Sequence, residues 1–243
     1  MFDRKQVKAE GKLSCKNNYW RSVLCALILG AFGTIYSLTY SQETPHGMEM
    51  FEDTPQGMDS DTLIALLLAT AIIFAIKIFI LNPLEIGCYG FFKDNMNAVR
   101  GKKLLDESAD EVDFLFNKKP DLGVLRDGFA NYGRMFLTLF LRDLFIVLWF
   151  CLFIIPGMVK TYSYRMVPYI IRDNPELSPT EAITLSRKIM NGNKFDVFIF
   201  DLSYFGWLLL GGLTFGLVNV FWTMPYWNNA NAGIYLKLKE AQK

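Results

Sequence analysis

Histidine is nearly missing from this chain of 243 residues: the only one is His46. That removes most serine-triad, zinc-hydrolase and histidine-relay mechanisms, which need an imidazole held against a second group. The chain also lacks a P-loop and a G-x-S-x-G elbow. Paired cysteines are missing too. Cys15, Cys25, Cys88 and Cys151 are scattered, with no C-x-x-C spacing. Neither a disulfide framework nor a zinc site is expected, and the four read as reduced thiols. No charge of one sign dominates, because 25 Lys and Arg face 24 Asp and Glu for a net +1. Nothing in that balance draws the chain to nucleic acid. Charged residues amount to only 20%, below the roughly 25% of soluble domains. The expectation is a chain that is not an enzyme and uses no cofactor, although a carboxylate-only lipid chemistry stays open.

What the chain does have is apolar length. Hydrophobic residues make up 52% and aromatics 15%, and the charges gather in blocks between uncharged runs. A helix needs about 20 apolar residues to cross about 30 Å of hydrocarbon. Four runs approach or exceed that length: Ser22 to Tyr40, Leu63 to Leu81, Phe136 to Ile155 and Phe195 to Trp222. The first competes with a signal peptide, but it is long for one and no A-x-A-like site follows it, so an uncleaved span is expected. Pro83 predicts a kink after the second run, Pro156-Gly157 ends the third, and the fourth stops before Pro225. Two weaker segments, Met158 to Ile171 and Met224 to Leu238, are short or amphipathic.

The positive-inside rule orders these pieces. Six cations precede the first run, the 41–61 segment is acidic, and the 87–134 segment is again basic. Four spans alone would put the basic 172–194 segment outside. Six segments repair this if Pro156-Gly157 and Pro225 are outer turns and both short segments return. The chain then reads as an all-α polytopic bundle with four strong and two short or half-spanning segments and both termini cytoplasmic. Residues 1–21 form a basic cytoplasmic segment. Residues 22–243 form one membrane domain, with an acidic Met-containing outer loop at 41–61 and cytoplasmic segments at 87–134 and 172–194. Lys160 alone sits on the wrong side.

Several small features invite two readings. Ser178-Pro179-Thr180-Glu181 is a capping box opening an amphipathic helix; that helix lies either on the membrane surface or on the protein's own cytoplasmic face. Gly206, Gly212 and Gly216 are candidate helix-packing residues, the last two forming a G-x-x-x-G. Lys77 lies about 21 Å into the second run at 1.5 Å per residue, and either snorkels or pairs inside the bundle with Asp143 or Asp201. Arg142 and Asp143 are adjacent, so they point in different directions on a helix and at least one needs another partner. In the outer loop, Thr44-Pro45-His46-Gly47-Met48-Glu49 recurs as Thr54-Pro55-Gln56-Gly57-Met58-Asp59. The simple reading is a solvated loop; His46, Met48, Met50 and Met58 are also soft ligands of the kind that hold copper.

The second half carries a set of tracts: Gly128-Phe129, Asn131-Tyr132-Gly133-Arg134, Ile154-Ile155-Pro156-Gly157, Tyr162-Ser163-Tyr164, Met166, Pro168-Tyr169-Ile170, Asp173-Asn174-Pro175, Glu181-Ala182-Ile183, Leu185-Ser186-Arg187, Asp201-Leu202-Ser203, Gly206-Trp207 and Pro225-Tyr226. Together with Pro83-Leu84-Glu85 and Gly87, they resemble an uncharacterised family of bacterial integral membrane proteins, a domain of unknown function found mainly in Gram-positive bacteria. Arg165 departs from the small residue of that pattern, and the outer loop is particular to this chain. A more distant similarity is to the membrane domain fused to some glycerophosphodiester phosphodiesterases, whose catalytic domain has no counterpart here. The resemblance implies a multi-pass protein of the bacterial cytoplasmic membrane and no activity. The leading functional expectation is a non-enzymatic accessory, scaffold or lipid-interacting factor, in contact with the lipid bilayer and with a homodimer or membrane-protein partner. The rivals are a transporter or permease subunit acting as a dimer, and a lipid-modifying enzyme.

Overall fold

A computed structural model describes residues 2–41, 64–105 apart from 66, 67, 70, 73 and 74, then 121–214 and 216–242; side chains at 31–41, 77, 78 and 102–105 are not among those described. Every regular element among the described residues is helical. In chain order these are α1 (Arg4–Asn17) and α2 (Tyr19–Ser41), then a π-helical turn (Lys77–Leu81) leading into α3 (Asn82–Leu105). A 3₁₀ stretch (Leu122–Phe129) precedes α4 (Tyr132–Leu152), α5 (Ile154–Tyr164), α6 (Val167–Asp173) and α7 (Pro179–Ile189). α8 (Lys194–Leu202), α9 (Phe205–Leu213), a second π-helical turn (Asn219–Thr223) and α10 (Met224–Glu240) complete the chain. The 41–61 loop, with His46 and its repeat, lies outside the described residues beyond Ser41, as do residues 63, 66, 67, 70, 73 and 74 of the 63–81 run.

The core forms where α1, α3, α6 and α10 meet. Asp3 caps α1, its carboxylate accepting from the Lys5 and Gln6 amides at 2.9 and 3.4 Å. Val7, Gly11, Ser14 and Cys15 recur at helical spacing and are buried. They lie with Phe91, Phe92 and Met96 of α3, Ile170 of α6 and Ile234 of α10, all fully or nearly fully buried. Asn229 of α10 ties α1, α2 and α3 to it by hydrogen bonds. It accepts from Ser14 Oγ at 2.8 Å and Asn95 Nδ2 at 2.7 Å, and donates to Ser22 Oγ at 3.2 Å. Asn228, Asn229 and Asn231 are buried polar side chains on α10. α10 is continuous, and its polar face satisfies its neighbours.

Both helical hairpins turn earlier than hydropathy places them. α4 stops at Leu152, and Phe153 is extended at φ −159° and ψ 144°. Pro156 then falls in the first turn of α5, where a missing N–H costs nothing. The 195–222 run is likewise a hairpin, not one helix. It turns at Gly216, whose φ of +84° suits glycine, and Pro225 sits in the first turn of α10. Pro156-Gly157 and Pro225 are therefore not the turns themselves.

Pro83 and Pro225 share an arrangement. Each follows a π-helical turn, and each lacks the N–H that would bond the carbonyl four residues earlier. A tyrosine hydroxyl fills both gaps. Tyr132 donates to the Phe79 carbonyl at 2.9 Å, and Tyr19 donates to the Phe221 carbonyl at 2.7 Å. Tyr132→Phe and Tyr19→Phe are each expected to cost about 1 kcal/mol of stability, read as a lower melting temperature. An unchanged melt in both variants would refute this role.

α7 keeps its capping box: the Ser178 amide donates to Glu181 at 2.8 Å, and the Glu181 amide donates back to the Ser178 hydroxyl at 3.4 Å. Its apolar face, Ala182, Ile183 and Ile189, is buried in the protein's own core. Of the two readings of this helix, packing on the protein is the one observed. Ser186 also bridges the break between α5 and α6, donating to the Ser163 carbonyl at 2.8 Å and accepting from the Met166 amide at 3.2 Å. Lys160 lies over the Trp149 ring at 4.3 Å and within reach of the charges of Arg187 and Lys194.

Asp173 ends α6 and joins it to α3 and α10. It accepts from Lys93, from Lys239 at 2.5 Å and from the Tyr235 hydroxyl at 2.8 Å. Burial pushes its carboxyl up, but the bonds from Lys239 and Lys93 outweigh this and hold its pKa below the ordinary carboxylate value. A depressed folded pKa gives stability that is full above the unfolded value of about 3.9 and lost as pH falls through the folded one. Asp173→Asn is expected to lower the melting temperature at neutral pH and to shrink the gap from the parent protein below about pH 4. A gap independent of pH would count against the ion pairs.

Among the described residues two helical stretches are long and apolar enough to cross a membrane, Tyr132–Leu152 and Lys194–Leu213 (α8 with α9), with only 17% and 22% of their apolar windows buried. Tyr19–Gly30 is a shorter apolar helix. Both hairpin tips are bare of cover: Phe153, Ile154 and Ile155 are more than 70% exposed and Leu213 is 80% exposed. All four described thiols are free, Cys15, Cys25 and Cys88 buried and Cys151 exposed.

Candidate functional site

A cavity of about 490 Å³ opens between α3, α4, α5, α8 and α10. Two arginine–carboxylate groups form its polar wall. On one side Arg142 donates to both oxygens of Glu85, at 2.8 and 3.2 Å. The same guanidinium donates to Asp143 at 2.8 Å. On the other side Arg165 donates to both oxygens of Asp201, at 2.5 and 3.0 Å, and to Asn231 Oδ1 at 2.7 Å. Trp227 Nε1 adds a third bond to Asp201 at 2.9 Å. The Arg165 guanidinium lies over the Trp227 ring at 4.9 Å and near the Tyr162 ring at 5.7 Å. Ile146, Phe150 and Met158 make the rest of the wall apolar.

Local structure explains the placement. Pro83 sets the first turn of α3 and points Glu85 across to α4. The 3₁₀ stretch fixes that position by close approach: a Cβ on Gly128 would lie 1.7 Å from the Pro83 carbonyl oxygen, so no larger residue fits. α4 and α5 form the hairpin that faces Arg142 toward Arg165, while α8 and α10 bring up Asp201 and Trp227.

The bidentate pairs are charge-assisted and geometrically specific. Arg142 and Glu85 are 12% and 14% exposed, and Asp143 is 30% exposed. The wall holds three carboxylates and two guanidiniums, an excess of one negative charge, and Asp143 is its most exposed ionised group. Such a wall suits a ligand end that carries positive charge beside apolar matter. It offers no nucleophile–base pair, and among the described residues no group of three or more His, Cys, Asp or Glu could hold a metal.

The candidates read from the sequence divide cleanly. Arg142, Asp143 and Asp201 all line this cavity. The Lys77 side chain lies outside the described residues, and its proposed partners Asp143 and Asp201 are engaged by Arg142 and Arg165. Adjacent Arg142 and Asp143 do not point apart; the guanidinium folds back onto its neighbour. The partner that Arg142 required is Glu85, 57 residues away. Among the described residues Gly206 and Gly212 meet no neighbour, and Gly216 makes the turn; the close approach is at Gly211, against Asn219. Glu85, Arg165 and Trp227 were not singled out as site residues. Glu85 and Arg165 border apolar runs without an obvious local counter-charge, and Arg165 also departs from the pattern of the family it resembles.

A family model described as a protein of unknown function (DUF975) matches residues 134–242, less than half of the chain. The match takes in Arg142, Asp143, Arg165, Asp201 and Trp227, while Glu85 comes from outside it. No curated protein and no solved structure matches the chain significantly.

Proposed function

We propose that the chain is a multi-pass integral membrane protein, non-enzymatic and lipid-interacting, whose ion-paired cavity receives the amine-bearing end of a membrane amphiphile. The observation that carries the reading is the convergence of Glu85, Arg142, Asp143, Arg165 and Asp201 on one cavity with an apolar remainder. Ionised groups within apolar helices are costly, face protein or water, and pair with one another. The uncovered faces of α4 and α8–α9 support a lipid surrounding, since soluble monomers rarely expose contiguous apolar surface on this scale. Six segments with cytoplasmic termini, in a bacterial cytoplasmic membrane, remain the arrangement that best fits the charge pattern.

The test is native mass spectrometry of the protein extracted from its membrane. The expected result is a retained aminophospholipid, enriched over its share of the bulk lipid and lost in Asp143→Asn. That substitution removes the excess negative charge and leaves the Arg142–Glu85 pair intact. Retained lipid of bulk composition, unchanged in the variant, would overturn the reading. A second reading, a dimeric permease subunit, is favoured by the two π-turn–proline breaks beside paired charges. It requires a stable dimer in the same spectra.

A further inference from the structure

A second cavity, of about 600 Å³, shares no lining residue with the ion-paired site. α1 forms one wall. Lys8, Lys12 and Lys16 recur every four residues and therefore share one helical face. The opposite wall is aromatic: Trp207 comes from α9, Trp222 from the second π-helical turn and Tyr226 from α10, and Tyr19 closes the end. The lining contains no carboxylate. Among the described residues none of the three lysines has an acidic partner within salt-bridge distance, whereas α1's acidic Glu10 faces away and binds Arg100 at 3.1 Å. Lys8 rests over the Tyr204 ring at 5.1 Å. Burial and the nearby Arg4 charge lower its pKa, as expected for a cation with no counter-ion.

Three uncompensated cations facing a wall of tryptophan and tyrosine form an amphipathic slot. Tryptophan and tyrosine favour the level of lipid headgroups, and basic pockets beside membrane helices collect anionic headgroups. The aromatic wall runs on into bare apolar surface: Trp222 is 51%, Leu209 57% and Leu213 80% exposed. A ligand lying here meets cations at one end and hydrocarbon-like surface at the other.

We propose that the Lys8–Lys12–Lys16 cavity binds an anionic phospholipid, its phosphate between the lysines and its acyl chain along Trp207 and Trp222. The site has the opposite charge to the Glu85–Arg142 cavity and takes a different lipid class. It rests on the membrane reading given above, and the experiment separates the two.

The full chain is reconstituted in vesicles of phosphatidylcholine containing a small fraction of brominated lipid, either phosphatidylglycerol or phosphatidylcholine, and tryptophan quenching is read. The expected result is quenching by both, with brominated phosphatidylglycerol effective at a much lower fraction. Each lysine near an anionic lipid is worth about fivefold in affinity. The preference should fall by about that factor per site in Lys12→Gln and Lys16→Gln, both exposed positions, and survive in Arg4→Gln/Lys5→Gln, which lies outside the cavity. Equal quenching by the two lipids would overturn the inference and leave the membrane reading standing. Quenching by neither would overturn both. An equal loss in the Arg4/Lys5 variant would assign the preference to general charge, not to this site. Displacement of the quenching by inorganic phosphate would make the ligand a soluble phosphate, against the lipid.

Discussion

Replacing Arg142 with alanine is expected to destabilise the protein by about 3–5 kcal/mol. The guanidinium serves Glu85 twice and Asp143 once. Without it two carboxylates face each other in a poorly solvated wall, and among the described residues neither has another cation as a hydrogen-bond partner. The cost is mostly that of unpaired buried charge, so it should be recoverable. Glu85→Gln and Asp143→Asn together with Arg142→Gln remove all three charges and are expected to restore most of the loss. A thiol-reactive dye follows the melt, because Cys15, Cys25 and Cys88 are buried in the folded chain and become reactive on unfolding. A melt of Arg142→Ala equal to that of the parent would show that the pair carries no stability.

Asp201→Ala is the second large effect, again about 3–5 kcal/mol. Asp201 holds three bonds, two from Arg165 and one from Trp227, and links α8 to α5 and α10. Its loss leaves Arg165 with the Asn231 oxygen and two ring faces. Asp201→Asn keeps an acceptor for Trp227 and should cost less than alanine. Replacing the pair with Asp201→Leu and Arg165→Met is expected to be neutral or stabilising, since well-packed apolar side chains often outdo a buried ion pair. If that double variant is stable but retains no lipid, the pair is kept for binding. If it is stable and still retains lipid, the pair serves only the fold.

Arg142, Asp143 and Asp201 were legible as site residues because a charge inside an apolar run has to be explained. Their partners were not legible. Glu85 lies just beyond a proline and Arg165 in a short aromatic segment, where a charge is ordinary. The hairpin turns were misplaced for a similar reason. Pro156-Gly157 and Pro225 look like turns, yet a proline in the first helical turn is as favourable as one between helices. The turns fall at Phe153 and Gly216 because that is where the two arms of each hairpin can pack. The capping box of α7 was read correctly since it depends on four consecutive residues. Which surface its apolar face covers depended on the location of α4 and α6.

The sequence by itself determined the helical class, the apolar runs, the helix caps and the shortage of catalytic groups. These follow from residue type and from spacings of a few positions. Tertiary structure alone decided that Arg142 meets Glu85, that Arg165 meets Asp201, that Asn229 joins α1 to α3 and α10, and that three lysines face an aromatic wall. Each of these contacts joins residues tens to hundreds of positions apart, and short-range periodicity carries no information about which distant helix faces which. The unpaired charge is fixed locally; the partner that neutralises it is fixed by packing.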